Sequence, residues 1–561
     1  YENDEMIPDI LSVNIFLDRM GFGILGLTAY ISEKEVVYFK WKESTRACIR
    51  NENYKKLGML LEHMPTGNVS LNKKIREQYA WFIKGIVAEK DTADLKKATE
   101  CYEKALECTC GFLIKSQKIE GTFSVREIHI YAIYLNLLCK VNPKEKEEVI
   151  SRFYQLMQYV NVHYVEEQQK VKIYPLLVCL WGNLVIEGKD TEGSFEIFEK
   201  TLELLRKQKS LYCLLEIMRL HILVGLKEKR DMSKEQEDIK ILQSFFEEFG
   251  YRVQSQIYVP QANEIMLEHV GQYLSTERKK VNYTQEKISD GICSVESYSR
   301  IENGRKPTRN NYKALTEKIG TENRYYIELV NTGNIDALLL RREISYELFM
   351  EKNERLPELL EELKTVLGEK EVAKNRQYLE YIETCIERRN NHISEKECCQ
   401  EYRKILAYSL DENLIGENKH IYTKIEINLI NHIAVCLSRT GEKEQATRLI
   451  KLFLKEKEQA KTCKYHEAKL AKLNYGKWLS DAGEYVEAER IFSEGVSQIV
   501  ERDRAELLDQ YIGEMAYNEY LINDSKKDEQ IKRHSLYALI FSKLFGTEEN
   551  YKIISEFYRQ N

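Results

Sequence analysis

Breakers of regular structure are scarce here: the 561 residues include only 7 prolines and 26 glycines. With 31% charged and 10% aromatic residues, mostly tyrosine, that scarcity suits helices with wet outer faces. Disorder is excluded, because an apolar fraction of 43% can fill a core. There is no run of about 18 apolar residues and no recognisable secretory leader. The expectation is therefore a cytoplasmic chain with no membrane partner. Thirteen cysteines include Cys108-Thr-Cys110 and Cys398-Cys399, but no C-x-x-C and no Cys/His cluster at zinc spacing. Such scattered thiols read as small buried apolar residues rather than metal ligands. No phosphate loop, nucleophile elbow or metal-spaced set stands among the ten histidines, so no enzyme, metal or other cofactor is predicted. His269 and the acidic pairs on helices read as satisfied core or solvated faces. The net charge of −6 excludes a chain that is basic everywhere, but it leaves room for one local basic module.

What the sequence does hold is amphipathic helical periodicity with short polar joints. At 561 residues it is too long for one core, and three or four compact units are expected. The stretches "CLSRTGEKEQATRLIKLFL" (436–454) and "WLSDAGEYVEAERIFSEGV" (478–496) share the frame L-S-x-x-G-E-x-x-x-A, 42 residues apart. In each a helix ends at a turn glycine, Gly441 or Gly483. A small residue, Ala446 or Ala488, opens the next helix, and a large one, Ile450 or Phe492, follows four positions later. Small-then-large at that spacing lets two antiparallel helices approach closely and interlock. Looser units are Ala98, Tyr102, Ala105 and Leu106 after Trp81 and Gly85, and Ser194, Phe198, Thr201 and Leu202 after Gly182. The pattern resembles the tetratricopeptide repeat, which implies right-handed superhelices with a concave face for a peptide or protein.

Residues 270–320 break the rhythm. Val270, Leu274 and Arg278 share a face of a first helix. Thr284 caps a short second helix that starts at Gln285 and runs to about Asp290. Gly291 supplies a turn, Ser294 caps a third helix over 295–302, and Asn303-Gly304 stops it. Two short helices joined by a glycine turn, with Ile288, Ile292 and Ile301 as an apolar staple, follow the helix-turn-helix plan. The segment carries ten Lys/Arg against six Asp/Glu, or +4 in a chain that is −6 overall, which is an electrostatic footprint suited to DNA.

The string T-Q-E-x-[IL] … S-R-I-E-N-G … P-[ST] … L-x-x-x-[IL]-G resembles the Cro and phage-repressor (XRE) helix-turn-helix family. Its "GICS" turn is similar to that of the RRNPP peptide-sensing regulators (Rgg, PlcR, NprR, PrgX, Rap), where such a domain precedes tetratricopeptide repeats. Tyr298 departs from the family's usual apolar residue. Carried over residue by residue, the resemblance implies that Gln285 holds a phosphate and that Val295, Glu296, Ser297 and Arg300 face the groove of double-stranded DNA. Arg300 would read guanine and Glu296 a cytosine amino group. Arg305, Lys306 and Arg309 would sit on the backbone. Arg278 and Glu302 match the family's internal ion pair and are read as structural.

Stretches of the first half recur in the second, two of them at an offset of 299 residues. "PDILSVNIFLDRMG" (8–21) aligns with "PTRNNYKALTEKIG" (307–320), and "YENDEMIP" parallels "IENGRKP". Further on, "REQYAWFI" (76–83) matches "NRQYLEYI" (375–382), and "NENYKKLGMLLE" (51–62) has its counterpart in "NERLPELLEEL" (353–363). The resulting expectation is an all-α protein, with tetratricopeptide-like α-solenoid halves flanking a small helix-turn-helix domain. The parts are a remnant of a truncated first helix-turn-helix (1–24), repeats (25–265), the complete helix-turn-helix (266–322) and further repeats (323–561).

The resemblance implies a transcriptional regulator whose arrays sense a signalling peptide or protein on the concave face. Asn183, Asn428 and Asn431 fall at first-helix positions where an asparagine can hold a peptide backbone through both amide functions, although helical asparagines are more often simply solvated. Repressors of this type bind as homodimers on two half-sites, and a tandem chain could supply both readers itself. The rival reading is a Rap-like scaffold that sequesters a protein partner and whose helix-turn-helix does not bind DNA.

Overall fold

The computed structural model describes residues 10–23, 28–65, 72–116, 118–188, 191–261, 266–320, 326–327, 330, 334–349, 354–368, 373–417, 420, 422–459, 468–523 and 528–560. Of the sequence correspondences above, "YENDEMIP", Asp9 and Asn353 lie outside these residues. The chain forms two compact units rather than three or four. One comprises residues 1–24, 37–263 and 489–561, the other 25–36 and 264–488. Stacked helical hairpins extend a shared core instead of closing separate ones, which keeps the number of units low. No helix among the described residues is long and apolar enough to cross a membrane.

Nearly all the regular structure is helical, and close approach between hairpin helices is enforced by small residues. A Cβ on Gly85 would lie 2.3 Å from the Tyr102 ring, and one on Gly182 would lie 2.7 Å from Phe198. Ala98, Ala105, Ala446 and Ala488 are fully buried, as are Ile450 and Phe492. Gly441 and Gly483 end their helices with φ of 93° and 81°, a backbone state open to glycine without Cβ strain. Ten of the twelve described cysteines are buried and all are free, and burial pushes the Cys110 and Cys436 thiols up to about 12.

The 299-residue recurrence extends to polar detail. In the first unit Gln78 Nε2 donates to Thr109 Oγ1 at 2.6 Å, and Glu127 closes a capping box with Ser124 on helix Val125–Val141. In the second, Gln377 Nε2 donates to Ser409 Oγ at 2.8 Å, Ser409 donates to Glu426 at 2.6 Å, and Glu426 closes a capping box with Thr423 on helix Lys424–Arg439. The middle hydroxyl, Thr109 or Ser409, lies one residue off the 299 register, and the outer partner differs: Glu127 is paired with Arg19, Glu426 with His420 at 2.9 Å.

One element was not legible in the sequence, a three-stranded sheet in the second unit. Strand β1 (Thr28–Ile31) lies between β2 (Met266–His269) and β3 (Tyr326–Ile327). It runs parallel to β2, with Thr28 opposite Met266 and Ile31 opposite His269, and antiparallel to β3, with Thr28 opposite Ile327. Strands of two to four residues are too short to show period-2 alternation.

Replacing Gly85 by alanine drives a methyl group into the Tyr102 ring. The expected cost is about 1–3 kcal/mol, read as a lower urea midpoint of the full chain.

Candidate nucleic-acid interface

The candidate site is a four-helix domain in the second unit. Its first helix, Val270–Lys280, is capped by His269, whose Nδ1 accepts from Gln272 N–H at 3.0 Å. Gly271 is required where this helix meets the end of the third: a Cβ there would lie 2.3 Å from the Ile301 carbonyl oxygen and 2.5 Å from that of Glu302. The second helix, Gln285–Ser289, is capped by Thr284, and the third, Val295–Glu302, by Ser294. Between them Gly291 turns the chain at φ 74°. The fourth helix, Arg309–Ile319, starts at a Thr308 cap and ends on Gly320 at φ 78°.

Val270, Leu274, Ile288, Tyr298, Ile301, Tyr312, Leu315 and Ile319 form one core, with Ile292 partly buried against it. Tyr298 takes the place of an apolar residue by being fully buried and turning its hydroxyl toward the Leu274 carbonyl at 3.5 Å. Burial, reinforced by Glu302, pushes its phenol far above the ordinary value, so it stays neutral. The core is completed by Tyr30 of β1, whose ring lies 4.3 Å from that of Tyr273. Nothing local to 266–322 signals that partner, which lies more than 200 residues upstream.

A polar clasp joins the first three helices. Arg278 Nε donates to Glu302 Oε1 at 2.7 Å, and its Nη1 donates to the Tyr283 carbonyl at 2.5 Å. Gln285 Nε2 donates to Glu302 Oε2 at 2.6 Å. Burial alone would raise the Glu302 carboxyl, but the Arg278 guanidinium and the Gln285 amide hold it below the usual carboxylate range. The Gln285 side chain is therefore engaged inside the domain. A phosphate at the start of this helix would meet the second hydrogen of that amide and the backbone N–H groups of the first turn.

Outside the clasp, Glu296 and Arg300 are exposed on the third helix, while Val295 and Ser297 are half-buried beside them. The Glu296 carboxylate is held low by its own backbone N–H and the Ser294 hydroxyl, so it stays ionised at the helix start. Arg305 and Arg309 follow, both exposed. Among the described residues, the guanidinium groups of Arg300, Arg305 and Arg309 have no ion-pair partner. Lys306 is different: its Nζ lies 3.4 Å from Glu35 Oε1, and Glu35 is itself buried and bound by Ser32. The neighbouring backbone is tied the same way, with Glu33 N–H donating to the Gly304 carbonyl at 3.0 Å.

The three candidate asparagines lie elsewhere. Asn183 donates to Glu216 at 2.9 Å and accepts from Arg219 at 2.7 Å. Asn431 is buried and accepts from Asn474 at 3.0 Å, and Asn428 is partly exposed.

Residues 274–322 match the helix-turn-helix family HTH_3, and with the geometry above they form a helix-turn-helix domain of the XRE type. Several solved structures are similar to the chain. PlcR of Bacillus thuringiensis in complex with the peptide PapR7 and DNA shares 15% identity over 52% of this chain and 98% of its own, with a TM-score of 0.34. The same protein in its apo form shares 14% over 51% and 98%, at 0.32. ComR from S. thermophilus in complex with DNA and its signalling peptide ComS shares 13% over 52% and 99%, at 0.31. No curated protein matches the sequence.

Replacing Glu302 by glutamine should loosen the clasp by about 1–3 kcal/mol, seen as faster amide exchange in Val270–Lys280 and Val295–Glu302. Because the folded carboxyl titrates below its ordinary 4.5, the clasp is at full strength above that pH and weakens as pH falls through and beneath it. In the wild-type chain amide exchange in these helices should rise on acidification, and in the glutamine variant much of that rise should be missing.

Proposed function

We propose that the chain is a sequence-specific DNA-binding transcriptional regulator of the cytoplasm whose helical-repeat arrays sense a peptide or protein ligand. The observation that carries the reading is the exposed trio Arg300, Arg305 and Arg309, without ion-pair partners among the described residues, beside a closed core in a domain that is locally +4. Arg300 lies on the third helix with Glu296 and is the base reader, where a bidentate guanidinium suits the O6 and N7 of guanine. Arg305 and Arg309 hold phosphates. Lys306 does so only by leaving Glu35. Gln285 anchors a phosphate through the groups that Glu302 leaves free. No catalytic role is assigned.

The domain reading is that residues 266–322 are the DNA module, flanked by repeats over 25–265 and 323–561. Helix Ile10–Arg19 is the counterpart of Arg309–Ile319, with Gly21 at φ 76° standing where Gly320 stands at 78°. In support, Phe16 and Met20 occupy the positions of the core residues Leu315 and Ile319 but are each 51% exposed. Residues 1–24 are therefore read as part of a first helix-turn-helix.

Asn428 is the asparagine best placed to grip a peptide, since Asn183 and Asn431 must first exchange the partners they now hold. A ligand alters DNA binding only if it binds two arrangements of the array unequally.

The test uses the full chain and a DNA ligand selected with it from a random oligonucleotide pool. Arg300→Ala should weaken that complex by about 1–3 kcal/mol, roughly 5- to 150-fold, and relax the sequence preference at one position. Arg309→Ala should weaken all sequences alike and reduce the salt slope by about one. Failure to enrich any sequence, with salt-independent binding, would overturn the reading and leave the protein-sequestering scaffold.

A further inference from the structure

Two segments of this chain meet as two copies of one protein would. In the first unit, the loops after helices Ser194–Lys207 and Tyr485–Val500 share a backbone signature. Lys209 and Cys213 are left-handed at φ 47° and 60°, and Asp503 and Leu507 at φ 57° and 64°. In both loops the second of these residues caps the next helix, Leu214–Lys227 or Leu508–Ile522. Lys209 thus corresponds to Asp503, and Leu211 to Ala505. Leu211 N–H donates to the Asp503 carbonyl at 2.8 Å, and Ala505 N–H donates to the Lys209 carbonyl at 2.8 Å. Exchanging equivalent residues turns each bond into the other. Between them Ser210 and Arg504, themselves equivalent, stand opposite each other in an antiparallel bridge. Antiparallel self-pairing of equivalent residues is the mark of a two-fold, isologous contact.

The same relation appears where helix Ser233–Glu248 packs on helix Glu529–Phe545. Both end in F-x-x-x-F-G, with Phe245, Phe249 and Gly250 matching Phe541, Phe545 and Gly546. Phe245 and Phe541 meet each other edge-to-face, with ring centroids 4.6 Å apart. At that offset Asp238 corresponds to His534, and each reaches the end of the facing helix: Asp238 contacts Lys543 at 2.7 Å, and His534 contacts Glu248, one residue beyond the counterpart of Lys543, at 2.7 Å. Gly21 of the first unit and Gly320 of the second set an offset of 299, which makes Thr28 and Ile327, both in the second unit, counterparts. These two residues are paired in the antiparallel ladder between β1 and β3.

One feature breaks the symmetry. The Asp503 carboxylate, 1% exposed, receives Arg50 at 3.0 and 3.3 Å, Gln256 at 2.8 Å, Gln261 at 2.5 Å and the Tyr251 hydroxyl, whereas its counterpart is Lys209. A lysine cannot take that place, and every one of these donors belongs to the first half. Two first halves or two second halves would therefore not form this contact with each other.

We propose that the chain is a covalently fused dimer. Its two related halves pair about a pseudo-two-fold relation, and the surface by which one half would take up a partner copy is occupied by the other half of the same chain. The partner that fits this surface is therefore internal, and the working form is a monomer. This inference stands independently of DNA binding.

The test is made on the full chain. Light scattering across micromolar concentrations should give 66.2 kDa, the mass of one chain. Ser210→Cys/Arg504→Cys, at a non-hydrogen-bonded antiparallel pair, should form a disulfide under mild oxidation, located by peptide mapping. In a mixture of isotopically heavy and light chains that cross-link should join peptides of the same label only. Should that variant fail to fold, Asp238→Cys/Lys543→Cys with a short bifunctional thiol reagent samples the second contact. Mixed-label cross-links, a mass of twice one chain, or folded variants that cross-link at neither site would each overturn the proposal.

Discussion

A carboxylate removed from water has to be answered on every side, and in this protein Asp503 is that carboxylate. Its partners Arg50, Tyr251, Gln256 and Gln261 come from two stretches of chain about 200 residues apart, and Asp503 itself stands about 240 residues further on. Burying an ion pair gains little over an apolar contact of the same shape, but removing one member of it costs about 3–5 kcal/mol. The interaction therefore acts chiefly as a selector. It is satisfied only when the segments that present these groups are all in place, and it rejects pairings that bring a lysine to the same spot.

The repeat arrays around it follow from simpler rules. Glycine or alanine on one helix faces an aromatic or branched residue on the next, and each hairpin buries a face that it could not bury alone. On that repetitive ground the recurrent Gln–Thr/Ser–Glu chain is informative, because a buried polar triplet has few interchangeable solutions. Its outer members, Arg19 in one half and His420 in the other, show where the halves have diverged.

Much of the helix-turn-helix was legible in the sequence because its signals are local. Thr284, Ser294 and Thr308 each cap the helix that follows, and Gly291, Gly304 and Gly320 each take a positive φ. The partners of that domain were not legible. Glu35 beside Lys306, Glu33 on the Gly304 carbonyl and Tyr30 against Tyr273 depend on pairing over long sequence separations, which leaves no periodic trace. The exposed arginines could be named from the sequence. That their basic neighbour Lys306 is engaged, while the three arginines hold no ion pair among the described residues, is a property of the fold alone.

Strand β1 carries a consequence for how the protein is made. The DNA-binding core needs Tyr30, yet 234 residues separate Ile31 from Met266. At about 5–20 residues per second, β1 leaves the ribosome roughly 10–50 s before its parallel neighbour exists. During that interval its backbone edges and its tyrosine have no permanent partner. The first half can complete its hairpins as they emerge, whereas β1 has to wait for a helix-turn-helix synthesised long after it. Its assembly is thus a late event, and a nascent chain stalled before Met266 would present β1 to chaperones or to a neighbouring chain on the same message.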